Sequence, residues 1–206
     1  MFTGLVEGMG TVRSTSRGLH VGTGLAGLRV GDSLAVDGTC LTVAGLDAEC
    51  ARFDLPTETL GRTIAGSYRP GTNVNLERPL AAEGRFHGHF VSGHVDCVGS
   101  IRRVTGASGT GFEIAYPAEY DPLVVDRGSI AVSGISLTIV RAGKGTFTVA
   151  LVPETLRRTT AAGWRPGDSV NIEFDMLGRY LARWRDLGAG EARLKEYLEK
   201  PGNSVR

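Results

Sequence analysis

The pattern of apolar and polar positions in this chain is written twice. The stretch Val36-Asp37-Gly38-Thr39-Cys40-Leu41-Thr42-Val43 returns ninety-six residues later as Val132-Ser133-Gly134-Ile135-Ser136-Leu137-Thr138-Ile139. In both, apolar side chains alternate with polar ones, the period of a strand with one face in a core. The same offset pairs Gly31–Val36 with Arg127–Val132, and Leu55 and Glu58-Thr59-Leu60 with Leu151 and Glu154-Thr155-Leu156. It also pairs Arg69-Pro70-Gly71 with Arg165-Pro166-Gly167, and Val74-Asn75-Leu76-Glu77 with Val170-Asn171-Ile172-Glu173. The start of each copy aligns at a shorter offset: Thr3-Gly4-Leu5-Val6 faces Ser92-Gly93-His94-Val95. The seven-residue difference between the offsets is expected as a loop insertion in the first copy's early hairpin.

Each unit is about ninety residues, too long for a solenoid repeat and right for a small domain. Short β-rich runs at Ser33–Val36, Leu41–Ala44, Arg52–Leu55 and Val74–Glu77 are separated by Pro-Gly and Asp-Gly turns. That spacing predicts a small antiparallel barrel per unit, the first ending near Ala81–Arg85. The stretches Pro56–Ile64 and Pro153–Thr160 each predict one short helix between strands. Beyond Asp175, which stands in the place of a helix cap, Leu177, Tyr180, Leu181, Trp184 and Leu187 follow helical spacing. A second helical stretch, Glu191–Lys200, carries Leu194 and Leu198. Two closed barrels leave such a stripe little to cover, so self-association is expected; the alternative is a helix folded back on its own barrel.

Charge narrows the partners. Lys plus Arg number 23 and Asp plus Glu 22, a net charge of +1, so no field of one sign recruits nucleic acid or an anionic membrane. No apolar run approaches the ~20 residues of a membrane span. Met1-Phe2-Thr3-Gly4 lacks the basic start and apolar core of a signal peptide. Cys40, Cys50 and Cys97 are odd in number and share no metal-ligand spacing. A cytoplasmic protein with free thiols is the expectation.

The candidate chemistry sits where the copies differ. Cys40 becomes Ser136, each followed by Leu-Thr. Residues two apart in a strand share a face, so Cys40 points with Thr42 and Ser136 with Thr138. A Cys in a strand also serves as a small buried hydrophobe. Three of the four histidines cluster at His87, His89 and His94. The first two have a spacing that could suit a metal, but no carboxylate or Cys completes a zinc set, and no metal is expected. His94 replaces Leu5 of the first copy, a titratable group at an apolar position and a natural proton carrier. Thr57-Glu58-Thr59-Leu60 and Pro153-Glu154-Thr155-Leu156 begin like helix caps; their N–H and hydroxyl groups also suit the polar edge of a flat heterocycle. The chain has no Gly-rich phosphate loop, dinucleotide fingerprint or Gly-x-Ser-x-Gly motif.

Met1-Phe2-Thr3-Gly4-Leu5-Val6-Glu7, Gly38-Thr39-Cys40-Leu41-Thr42-Val43, Gly88-His89-Phe90-Val91-Ser92-Gly93-His94-Val95-Asp96, Gly134-Ile135-Ser136-Leu137-Thr138 and Pro153-Glu154-Thr155-Leu156, in this order, resemble riboflavin synthase of the alpha-chain type. The resemblance covers residues 1 to about 187. It implies an all-β fold of two tandem six-stranded Greek-key barrels plus a C-terminal α-helix. The implied domains are lumazine-binding barrels at 1–87 and 88–174 and a helical trimerisation segment at 175–206. The implied reaction is a dismutation of two molecules of 6,7-dimethyl-8-ribityllumazine, with no metal or redox cofactor. The implied site lies between the N-terminal barrel of one subunit and the C-terminal barrel of another. The resemblance also allows an association with lumazine synthase, and it leaves open a non-catalytic lumazine- or flavin-binding relative.

By the same resemblance, His94 and Ser136 with Thr138 serve the C-terminal site. Cys40 with Thr42 serves the N-terminal one, and Phe2 lies over the reacting pair. Gly4, Leu5 and Val6, then Leu41 and Leu137, then Gly93 and Val95 line the substrate. So do Asp54, Leu55, Pro56, Thr57, Glu58 and Thr59 in one copy, and Ala150, Leu151, Val152, Pro153, Glu154 and Thr155 in the other. Asp175 matches an acidic residue near the site. Arg127 is also placed at the substrate. Three positions of the second copy depart from the family pattern: Arg127 stands for the usual Lys, Ser133 for Asp, and Cys97 for Gly.

Overall fold

The computed structural model describes residues 1–47, 50–106 and 109–186. Each copy of the repeat closes into a six-stranded antiparallel barrel. The first is built from β1 (Gly8–Ser14), β2 (Leu19–Gly22), β3 (Ser33–Val36), β4 (Thr39–Leu46), β5 (Ala51–Phe53) and β6 (Asn73–Glu77). They close in the order β1-β2-β5-β4-β3-β6, a Greek key. The second uses β7 (Cys97–Thr105), β8 (Gly111–Ala115), β9 (Ser129–Val132), β10 (Ile135–Gly143), β11 (Thr146–Ala150) and β12 (Ser169–Phe174) in the same cyclic order. Closure satisfies the strand edges that an open sheet of this size would expose. Even the irregularities repeat. The β1 shift between Val12 and Ser14 returns in β7 between Ile101 and Arg103. The β4 shift between Val43 and Gly45 returns in β10 between Ile139 and Arg141.

The offset difference is placed otherwise than expected. Val12 faces Val21 across the first hairpin, whereas the matched Ile101 faces Ile114, four residues further along. The rest of the extra length falls between β8 and β9, where Ala118–Leu123 forms a 3-10 turn. The insertion therefore belongs to the second copy and is shared by two connections.

Strand alternation sends Leu34, Leu41, Val43, Phe53 and Leu76 into the first barrel and Ile130, Ile139, Phe147 and Ile172 into the second. Between β5 and β6 the chain forms α1 (Thr57–Arg62) and a 3-10 turn at Ile64–Ser67; α2 (Pro153–Arg158) and Thr160–Gly163 repeat them. Thr63 and Thr159 join each pair, their hydroxyls accepting from Ala65 N and Ala161 N.

The barrels meet across an approximate two-fold. The hairpins β3–β4 and β9–β10 turn through Asp37-Gly38 and Ser133-Gly134, all four residues at positive φ, as a two-residue type I′ turn requires. The turns touch backbone to backbone: a Cβ on Gly38 would lie 2.7 Å from Gly134 N, and one on Gly134 equally close to Gly38 N. Asn75 Nδ2 donates to Ser133 O and Asn171 Nδ2 to Asp37 O, each at 2.8 Å. Their side-chain oxygens accept from Thr160 N and Ile64 N, also at 2.8 Å. Each barrel thus satisfies backbone groups of the other. Phe2, Ala35, Val91 and Ala131 fill the seam, with Phe2 and Val91 paired as a short bridge.

Helix α3 (Met176–Asp186) follows the second barrel. Asp175 caps it, Oδ1 accepting from Leu177 N at 3.0 Å. Gly178 lies against Leu123, so the helix does rest on its own barrel. Its apolar stripe still faces outward: Leu177, Tyr180, Leu181 and Trp184 are between 49% and 71% exposed. Leu187 and the stretch Glu191–Lys200, with Leu194 and Leu198, lie outside the described residues. No described helix is long and apolar enough to cross a membrane.

Candidate active site

Cys40 and Thr42 share the outer face of the first barrel, as Ser136 and Thr138 share that of the second; the intervening Leu41 and Leu137 point inward. Against each outer face lies a short arm from the start of a repeat, and the arms cross over. The first arm (residues 2–6) docks on the second barrel, Ser136 N donating to Gly4 O at 2.8 Å. The second arm (residues 91–95) docks on the first, Cys40 N donating to Gly93 O at 2.8 Å. The approach is too close for a side chain. A Cβ on Gly4 would lie 2.6 Å from Ser136 Cβ, and one on Gly93 2.5 Å from Cys40 Cβ. Both glycines also have positive φ, 76° and 81°.

Buried carboxylates hold the arms. Glu77 Oε1 accepts from Thr3 N and Oγ1 at 2.7 and 2.9 Å, and Oε2 from Gly4 N at 3.0 Å. Glu173 repeats this with Ser92 N and Oγ and Gly93 N at 2.6, 2.7 and 2.9 Å. Burial raises both carboxyl pKa values, and the donated hydrogen bonds oppose it.

On the second barrel the arm and strand leave a groove of about 220 Å³, lined by Gly4, Leu5, Val6, Ile135, Ser136, Glu154, Thr155, Arg158 and Thr159. Backbone polar groups, a hydroxyl and an apolar wall suit a flat polar heterocycle. Arg158 pairs with Glu154 at 2.6 Å, and the matched Arg62 with Glu58 at 3.4 Å.

The two barrel faces differ in one feature that the repeat does not supply. His89, in the crossover between the barrels, is buried, and its Nδ1 lies 2.7 Å from Ser136 Oγ. Its Nε2 is buried without a hydrogen-bond partner among the described residues. Burial lowers the imidazole pKa, against a smaller upward pull from Asp175. The ring is therefore neutral at neutral pH, and a neutral imidazole against a hydroxyl can relay a proton.

Several expected placements change. His94 belongs with Cys40, not with Ser136, because its arm crosses to the other barrel. The histidine at Ser136 is His89, whose spacing from His87 suggests only a metal. The signal that could have found it is its place in Gly88-His89-Phe90, five residues before His94. Phe2 is fully buried in the seam, where the apolar ring packs between the barrels instead of lying over a reacting pair. His94 and Leu5 are exposed at matched places. Asp54, Pro56, Thr57 and Glu58 are exposed and Leu55 and Thr59 half-buried; Ala150, Val152, Pro153 and Glu154 are exposed, Thr155 half-buried and Leu151 buried. Val6 packs on the second barrel's core, and Val95 is buried.

The lumazine binding domain family matches residues 3–79 and 92–175, one match for each barrel. Riboflavin synthase of Mycobacterium tuberculosis is 41% identical over 199 residues, covering 89% of this chain and 97% of that protein. The chain belongs to the riboflavin synthase family. Within that family, the Bacillus subtilis enzyme is 39% identical over 195 residues, covering 89% of each chain. A crystal structure of LumP complexed with 6,7-dimethyl-8-(1'-D-ribityl) lumazine superposes with a TM-score of 0.72 at 20% identity, covering 84% of this chain and 99% of that one. LumP complexed with riboflavin gives 0.74 at 21%. These structures share the fold.

The three positions expected to depart from the family pattern have separate physical settings. Ser133 stands where the first copy has Asp37, and Trp164 where it has Tyr68. Tyr68 OH donates to Asp37 Oδ2 at 2.8 Å, so loss of the acid goes with loss of the hydroxyl that paired with it. Cys97 opens β7 in the core, and burial pushes its thiol up to about 12, out of nucleophilic range. Arg127 is exposed at a left-handed corner, φ 64°, where the first copy has Gly31. Its N–H donates to Ile139 O at 2.8 Å, one residue beyond Thr138.

Proposed function

We infer that this chain makes riboflavin: two molecules of 6,7-dimethyl-8-ribityllumazine dismutate, a four-carbon unit passing from one to the other. The products are riboflavin and 5-amino-6-ribitylamino-uracil, so the protein is a transferase. The observation that carries this reading is a duplicated groove edge with unlike chemistry. Gly4 against Ser136 and Gly93 against Cys40 repeat one scaffold, and His89 adds a base at Ser136. Two identical substrates with opposite roles call for that arrangement. Membership of the riboflavin synthase family supports it.

The lumazine dione edge would meet backbone groups of the arms and of the segments leading into α1 and α2. One lumazine must lose a proton from its 7-methyl group, leaving a carbanion delocalised over the ring. Ser136 Oγ can accept that proton while passing its own to His89, and the reverse transfer can return one to the product. Cys40, Thr42 and His94 would serve the other half-site. Holding two rings face to face contributes much of the rate; such proximity is worth roughly 7–11 kcal/mol. We assign residues 1–87 and 88–174 to the two lumazine-binding barrels, and 175–206 to assembly. The exposed stripe of α3 supports a homotrimer in which the Cys40 half-site of one subunit meets the Ser136 half-site of the next. A cytoplasmic location and an association with lumazine synthase belong to the same reading.

The test is incubation of the pure protein with the lumazine alone, followed by riboflavin absorbance. Turnover is expected, and His89→Gln should lower kcat by roughly 10²-fold or more while leaving lumazine bound. Tight binding without turnover by the unaltered protein would instead establish a lumazine-carrying relative.

A further inference from the structure

The two arms are held alike at their starts and differently at their ends. In the first copy, Glu7 ends the arm and receives Arg78, the residue after Glu77 on the same chain segment; Arg78 Nη2 lies 2.7 Å from Glu7 Oε2. In the second copy, Asp96 takes the place of Glu7. Its Oδ2 accepts from Phe174 N at 2.8 Å, and Phe174 occupies the position of Arg78. The missing cation comes from elsewhere. Arg179, on the first turn of α3, donates from Nη1 to Asp96 Oδ1 at 3.1 Å, and its Nη2 lies 3.6 Å from Glu173 Oε1.

These two carboxylates bracket His94. Glu173 holds Ser92 and Gly93 on one side. Asp96 stands on the other, its N–H donating to Ile172 O at 2.9 Å. Arg179 is 30% exposed at its side chain, against 47% for Arg78, and Glu173 is 3% exposed. A charge pair this sheltered is screened less than a surface pair.

We propose that Arg179 is a positioning residue for the reaction: it locks the His94 turn against β12 and makes the place of that turn depend on the seat of α3. The proposal rests on the riboflavin-forming reading of the site. It gives the helix a second task, because the same eleven residues present the apolar stripe and hold the arm. Displacing α3 takes the shared cation from Asp96 and Glu173 together, and leaves the His94 turn on its hydrogen bonds to β12 alone. The first arm, pinned by Arg78, is independent of the helix.

Asp96 also feels Arg62 from α1, and Tyr120 and Cys97 lie beside it. Burial raises the Asp96 and Glu173 pKa values, while Arg179 pulls both down. Removing the guanidinium therefore raises both.

The experiment compares Arg179→Met and Arg179→Lys with the unaltered full chain. It follows kcat and KM against pH, subunit assembly by sedimentation, and the His94 imidazole by NMR. With assembly retained, Arg179→Met is expected to lower kcat roughly 10- to 100-fold, the effect of a small misplacement at a reacting centre. KM should change far less, and the acid limb of the profile should move to higher pH. Arg179→Lys, which keeps the charge and guards against simple misfolding, should restore the limb and part of kcat. The His94 signals should shift in Arg179→Met alone. Unchanged His94 signals and an unmoved acid limb in Arg179→Met would overturn the proposal. An unaltered protein without turnover would defeat the functional reading instead, and the NMR comparison would still decide whether Arg179 holds the turn.

Discussion

Asp37 shows how one residue can carry the asymmetry of a duplicated fold. It is buried at the seam, accepting from Asn75 N and Tyr68 OH, each at 2.8 Å. Burial raises its pKa from 3.8 to about 7, against the two hydrogen bonds. The folded state thus binds the proton more tightly than the unfolded chain does. Its stabilising contribution is complete below the unfolded value and is lost as pH rises through the folded one. Thermal stability should therefore fall between about pH 4 and about pH 7 through this residue, and Asp37→Asn should flatten that slope. Melting temperatures across the range check it; equal slopes in the two proteins would remove Asp37 as the cause. The matched Ser133 cannot titrate, so the second hairpin has no such dependence. The acid at position 37 was readable as a hairpin residue in Asp-Gly. Its burial was not, because that depends on the partner barrel covering the turn.

At the scale of elements, the hairpins and arms make the joint. Gly38 and Gly134 have φ of 78° each, and each would drive a Cβ into the other's backbone. Neither neighbour is a flexible side-chain end, so the clash cannot be relieved by a rotamer. Gly38→Ala or Gly134→Ala should each cost about 1–3 kcal/mol, seen as a lower denaturant midpoint. Gly61→Ala, with nothing within 4 Å of an added Cβ, is the control and should leave the midpoint near its original value. The sequence placed β3, β6 and both short helices closely, because alternation and Pro-Gly turns are local signals. It put the extra loop length in the wrong copy. The resemblance joined His94 to Ser136 of its own barrel, since adjacency along the chain says nothing about a crossover.

For the whole molecule, the exposed stripe of α3 is the feature that a single chain leaves unexplained. Four large apolar residues at roughly half exposure or more form a patch that water covers poorly. Its position beside the second barrel suits covering by other copies of the chain. Tyr180→Glu with Trp184→Glu should yield monomers by sedimentation with little riboflavin formation, because the proposed site is shared between the barrels of two subunits. Monomers with full activity would show that one chain completes the site by itself.

The sequence encodes the duplication, the barrels and the places where the copies differ. These follow from local alternation, turn residues and a constant register between the copies. It also marked Cys40, Ser136 and His94 as the positions where chemistry was added. Which arm meets which strand is set by packing, since it depends on how the two barrels meet about Gly38 and Gly134. The same packing buried Phe2 in the seam and brought His89 to Ser136, forty-seven residues apart along the chain. It also set Arg179 against the two carboxylates that hold the His94 turn. Burial and contact are properties of the assembled barrels, and no local pattern encodes them.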